Sequence, residues 1–128
     1  MADRREGPAD MIPKRFRGIP PTELGALFRF GKRRRFSYGQ IVLRNRQQGV
    51  SRLAVVVPAR VAKKAIARTR IRRAIQAALL PLLPALRPAL DIAVVWEQGT
   101  TPPHPAALSQ ELGALLHSPY PRGERQRP

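Results

Sequence analysis

The side chains able to do chemistry are unevenly supplied. The 128 residues include two histidines and no cysteine, and eight Asp or Glu stand against 24 Lys or Arg. Breaking a phosphodiester bond with protein groups calls for a nucleophile beside a base, a His-based acid–base pair, or carboxylates gathered around metal ions. His104 lies among prolines and His117 ends an apolar stretch, while Asp91, Glu97 and Glu111 share no motif spacing. No thiolate nucleophile or cysteine zinc site exists in the chain. Neither a catalytic residue nor a metal ligand is therefore expected on the protein. What the chain has in excess is the guanidinium group, whose planar fork matches phosphate oxygens. It is concentrated in Arg68-Thr69-Arg70-Ile71-Arg72-Arg73, preceded by Arg60, Lys63 and Lys64.

The charge distribution sharpens this. Formal net charge is +16. Between Leu24 and Leu90 there are 16 Lys or Arg and no Asp or Glu, and the two flanks hold eight of each sign and cancel. A surface without internal counter-charges repels itself, and a polyanion such as nucleic acid supplies what is missing.

The stretch RVAKKAIARTRIRRAIQAALL, Arg60 to Leu80, reads as one long helix with its charge at one end. At 100° per residue, Ile71, Ile75, Ala78, Leu79 and Leu82 form a core-facing stripe. Projected backwards, the stripe meets Arg68 and Lys64, both within about 20° of Ile75. Buried and unpaired, those cations would be very costly. The first half of the helix must then leave the core for water or an anion. Its start also carries the positive end of the helix dipole.

Other elements must hold that helix. Residues 1–20 mix charges with Pro and Gly and read as a flexible basic arm. PPTELGALFRF reads as a short helix, with Pro20 and Pro21 blocking earlier helix, Thr22 placed to cap it and Gly31 to end it. GKRRRFSYG reads as a loop, with one further strand conceivable around Phe36 to Tyr38. QIVLRNR reads as a strand, and RLAVVV and LDIAVVW as buried central strands. Leu108, Leu112, Leu115 and Leu116 mark a final helix. Residues 118–128 read as a disordered tail, leaving 21–117 as a single α-β domain. The order α-β-β-(β)-α-β-α argues for an α/β protein, an α+β sandwich whose small mixed sheet contains a parallel pair and carries its helices on one side. No apolar run approaches a membrane span, and the N-terminus lacks a secretory core, so a cytoplasmic protein is the default.

Phe28, Phe30, Phe36 and Tyr38 are interleaved with Arg29, Lys32, Arg33, Arg34 and Arg35. Aromatics among cations suit single-stranded nucleic acid, which is held by base stacking and a basic groove. Phe28 fits a core position equally well, because it shares the face of Leu24. Trp96 leans towards the core.

The run Arg68-Thr69-Arg70, placed after a buried strand and PARVAKKAIA and before DIAVV, resembles the Arg-Asn-Arg motif of the bacterial ribonuclease P protein subunit. PKRF, ALFRFGKRRRF and LSQELGALL resemble that family's basic arm, first helix and last helix, and the likeness covers about Lys14 to His117. The chain departs from the family at Thr69, at Ala59-Arg60 where two basic residues are usual, and at Leu24 where an aromatic is usual. The resemblance implies a left-handed crossover around the motif helix, an exception to the usual hand. It implies binding of the catalytic ribonuclease P RNA through Arg60, Lys63, Lys64, Arg68, Thr69, Arg70, Arg72 and Arg73. A cleft between the first helix and the sheet, with Phe28, Arg29, Arg34, Arg35, Phe36 and Tyr38, would hold the 5′ leader of precursor tRNA. Cleavage would belong to the RNA and its Mg²⁺, with no membrane partner. A general RNA- or ribosome-binding protein is the alternative; a DNA-binding protein is disfavoured by the absence of helix-turn-helix spacing and zinc ligands.

Overall fold

Pro20 and Pro21 block helix from upstream, and proline is well suited to a first helical position. In the computed structural model, which describes residues 18–46 and 49–117, the first helix α1 accordingly runs Pro21–Phe30. Pro20 occupies the N-cap and no side chain caps the helix, so Thr22 does not play that part. Leu27 is fully buried, with Leu24 and Phe28 half-buried beside it. Gly31 ends the helix by donating its N–H to the Leu27 carbonyl at 2.8 Å. A Cβ at Gly31 would press on that oxygen and on Val42.

KRRRF is not a loop. Lys32–Phe36 forms strand β1, turning through Ser37 and Tyr38 into β2, Gly39–Asn45. The two pair antiparallel from Lys32↔Leu43 to Phe36↔Gly39. Pairing with β2 supplies the backbone hydrogen bonds that the charged sequence could not announce, and cations on an edge strand discourage further pairing. Strand β3 is Arg52–Val56, helix α2 is Ala65–Leu79, β4 is Leu90–Trp96 and α3 is Pro105–His117. A 3-10 helix, Leu80–Ala85, follows α2 where Pro81 and Pro84 forbid more α-helix.

The sheet order is β1-β2-β4-β3, with β3 and β4 parallel and joined by α2. β4 is central, as its apolar run requires. β3 is an edge strand rather than a central one, and most of it is only half-buried. Part of its edge is used by the chain before α1, where the Gly18 N–H bonds to Leu53 O at 3.0 Å. Ile19, at 7% exposure, joins the core there, so the last residues assigned to the arm belong to the fold. Residues 1–17 of that arm and the tail 118–128 lie outside the described residues.

Helices cover both faces of the sheet, not one. α2 and α3 pack on Ile41, Leu43, Leu53, Ile92 and Val94. α1 packs on Val42, Ala93 and Ala54 on the opposite face. Period-two alternation along each strand makes both cores from the same strands. Three acids from the flanks lock this frame. Arg52 donates to both Asp91 carboxylate oxygens at 2.9 Å and also bonds Glu23, tying β3, β4 and α1 together. Those bonds, Asp91's foremost, hold the Arg52 guanidinium charged far above its usual range. Glu111 on α3 accepts the Ser37 N–H and hydroxyl at 2.8 Å.

Candidate nucleic-acid interface

α2 is two different helices in sequence. Its buried residues, Ile71, Ala74, Ile75, Ala78 and Leu79, all lie from Ile71 onward. The first six residues, 65–70, contribute none, and Ile66 is 61% exposed. No acidic residue stands in the first turn and no side chain caps it. The helix begins at Ala65 rather than Arg60, because Pro58–Lys64 turns before entering it. Val61 and Ala62 N–H groups bond back to Pro58 O in that turn. Arg60, Lys63 and Lys64 are therefore exposed turn residues at the helix mouth, and Arg70 and Arg73 are exposed on the helix. Thr69 and Arg72 are half-buried.

Arg68 has a different position. It lies on the core-side stripe, as its spacing from Ile75 requires, and is half-buried. Its Nη1 donates to Ala62 O at 3.0 Å and to Lys63 O at 2.9 Å. The guanidinium thus fastens the turn to the helix through carbonyls rather than through an acid. Among the described residues, none of Arg60, Lys63, Lys64, Arg68, Arg70, Arg72 and Arg73 lies within ion-pair distance of a carboxylate. Arg60, Lys63, Lys64 and Arg70 line a concavity of about 630 Å³ with Ile66, Thr100 and Thr101. The two threonines, from the β4–α3 connection, carry no motif and were not legible as part of this surface.

The aromatic-rich segment divides between the two faces. Arg33 and Arg35 of β1 sit across from Val42 and Gln40, on the α1 side. Arg34 and Phe36 alternate to the α3 side, where Arg34 is buried and Phe36 is 7% exposed. Phe36 packs its ring 6.0 Å from Trp96, and Tyr38 stacks on Trp96 at 4.6 Å and 7°. Trp96 is buried and its indole N–H bonds Gly99 O at 2.8 Å. Arg34, Phe36 and Tyr38 therefore do not line a cleft beside α1: strand alternation sends them to the other core.

On the α1 side, the helix covers Val42, Ala93 and Ala54 but leaves the next row, Gln40, Val95 and Val56, only half-buried. Leu24 and Phe28 overhang this row, being rotated about 60° and 100° from the sheet-facing Leu27. The result is a shallow trough whose floor mixes Val95 and Val56 with the polar Gln40, and whose one wall is aromatic. Arg33 closes its end, donating to Phe28 O at 2.8 Å with its guanidinium 5.7 Å from the Phe28 ring centroid. Arg35 stands on the floor's edge, paired with Glu97 at 2.9 Å. The Glu97 carboxyl is held below the usual 4.5 by the Gln40 hydrogen bond first, then by Arg35, with a contribution from the Arg60 charge. Arg29 is exposed on the outer side of α1. Reading KRRRF as a strand would have found Arg33 in place of Arg34.

A mixed four-stranded sheet whose parallel crossover helix carries cations with no carboxylate partner among the described residues defines a basic α/β protein. The chain belongs to the ribonuclease P protein family: residues 14–120 match the family model described as Ribonuclease P. It is 32% identical over 85 residues to a ribonuclease P protein component from Synechocystis sp., a match covering 66% of this chain and 68% of that protein. The fold is that of the RNase P protein of Thermotoga maritima, with TM-score 0.68 and 20% identity over 81% of this chain and 97% of that one. The Staphylococcus aureus RNase P protein superposes with TM-score 0.67 at 19% identity, covering 83% and 96%.

Proposed function

We propose that this chain is the protein subunit of ribonuclease P, binding the catalytic RNA and the 5′ leader of precursor tRNA so that the RNA removes the leader. The observation that carries the reading is the set of seven cations from Arg60 to Arg73, in the turn before α2 and along its first nine residues, none of them paired with a carboxylate among the described residues. An RNA backbone brings the charge this surface lacks, and releases counterions as it docks. Arg60, Lys63, Lys64, Arg70, Arg72 and Arg73 contact phosphates, and Thr69 offers a hydroxyl where the resembled motif has an amide. Arg68 holds the turn that presents them. The trough beside α1 takes the single-stranded leader: Phe28 stacks a base while Arg33 and Arg35 attract its phosphates.

Hydrolysis is assigned to the RNA with its Mg²⁺. Among the described residues no group of three or more His, Cys, Asp or Glu side chains could hold a metal ion. Among those residues, also, no helix is long and apolar enough to cross a membrane. The test is to add the protein to a bacterial ribonuclease P RNA at low Mg²⁺ and follow precursor tRNA cleavage. Restored cleavage at the mature 5′ end supports the reading. RNA binding without restored cleavage would favour a general RNA-binding protein and overturn it.

A further inference from the structure

We propose that the side of α1 facing away from the trough is a second, separate nucleotide site, where an unpaired RNA base stacks on Phe30 and its phosphate is held by Arg44 and Arg29. Phe30 is 64% exposed, whereas Phe28, Phe36, Tyr38 and Trp96 are half-buried or buried. It is rotated about 60° from Leu27 in the sense opposite to Leu24 and Phe28, so α1 stands between it and the trough. The Arg44 guanidinium lies 5.3 Å from its ring centroid and that of Arg29 lies 5.8 Å away. Beside them, Ala26, Arg44, Asn45 and Arg46 help line a concavity of about 340 Å³.

The charges in and beside this concavity are not equivalent. Arg52 is committed to Asp91 and Glu23, and Arg46 lies 3.7 Å from Asp91. Arg44 and Arg29 make no ion pair among the described residues, so theirs are the guanidinium groups left for an anion. An exposed phenyl ring flanked by cations is a platform for a base, whose face stacks on the ring while guanidinium groups take the phosphate. A protein partner is a poorer fit, because among the described residues the other large exposed apolar side chains, Val50 and Ile66, are on different elements and build no patch with Phe30.

The inference rests on the ribonuclease P reading, and its test separates the two. Phe30→Trp places a reporter at the site, while the buried Trp96 gives a constant background. The variant is titrated with ribonuclease P RNA, and the assembled complex then with precursor tRNA carrying or lacking its leader. Quenching by the RNA alone assigns the nucleotide to the catalytic RNA. Quenching only with leader-bearing substrate assigns it to the leader. Either supports the site. Phe30→Ala and Arg44→Ala then weaken the same step about five- to tenfold, the lower end of what stacking one base contributes, with melting temperatures unchanged. Absence of quenching, with both alanine variants within twofold of the parent, overturns the site while leaving the proposed function intact. Quenching that grows with protein concentration in the absence of RNA would place the ring against a second copy of the chain and also overturn it. A parent protein that neither binds the RNA nor restores cleavage removes both proposals together.

Discussion

Arg68 and Arg70 sit two residues apart in one motif, yet the structure gives them different work, and alanine substitutions separate the roles. Arg68 makes two charge-assisted hydrogen bonds to carbonyls, one partly buried and one exposed. Such bonds are worth about 1.5–3 kcal/mol each when fully buried, so solvent sharing brings the pair to about 2 kcal/mol. For a domain near 100 residues that corresponds to a loss of about 8–16 °C in melting temperature. Arg70 is exposed and makes no such bond, so Arg70→Ala leaves melting within about 2 °C. In RNA binding the order reverses. Arg70→Ala lowers the slope of log K against log[salt] by about 0.7–0.9, one phosphate's share. Arg68→Ala changes the slope by less than half of that, weakening binding through a loosened turn. The assays are thermal unfolding followed by circular dichroism and filter binding to ribonuclease P RNA between 50 and about 300 mM salt. Equal melting temperatures with equal slope losses would show Arg68 to be a phosphate ligand and refute the brace.

Other outcomes follow from the frame. Arg52→Met leaves Asp91 with only the more distant Arg46 and exposed Glu23 without its Arg52 partner, and lowers stability by about 2 kcal/mol in urea titration, less than the cost of breaking a fully buried pair; a loss under about 1 kcal/mol would mean the network is dispensable. Gly39→Ala drives a Cβ into the Val95 carbonyl of the central strand and costs more than about 2 kcal/mol, whereas the same change at exposed Gly25, which meets nothing, is expected to be neutral or stabilising by unfolding measurements. Glu97 has a folded-state value below its unfolded one, so it stabilises the fold above about pH 4.5 and that contribution disappears as pH falls through the lowered value; Glu97→Gln should flatten stability between pH 5 and about 3, and a parent that gains stability on acidification relative to it would reverse the sign. Phe28→Ala should weaken binding of leader-bearing precursor tRNA to the assembled enzyme while sparing leaderless tRNA, read by equilibrium binding.

The motif helix, the central β4 and the leucine stripe of α3 were legible because each buries a periodic face that dominates its local sequence. Leu108 and Leu112 are fully buried where that spacing places them. The misreadings share one cause: partners distant in sequence. β1 is held by its ladder with β2, and nothing in KRRRF signals it. β3 looks central because its apolar side chains face two cores, although it has one strand neighbour. Ile19 is recruited by Leu27 from a stretch that otherwise reads as an arm. His104, read only as a poor catalytic candidate, accepts the Ala106 N–H at 3.0 Å on its Nδ1 and caps the start of α3. In the candidate site, the cation density of α2 was visible but its division of labour was not. That Arg68 turns back to carbonyls depends on where the turn after β3 places them.

The chain contains no cysteine, so a single introduced thiol can carry a hydroxyl-radical source without competition. Tethered at Ala65→Cys, exposed in the first turn of α2, the reagent should cut ribonuclease P RNA at a localised set of nucleotides. The same reagent at Ala114→Cys, exposed on α3, should leave those nucleotides intact. Cleavage from Ala114 with none from Ala65 would contradict the claim that the cationic mouth of α2 is where the RNA docks.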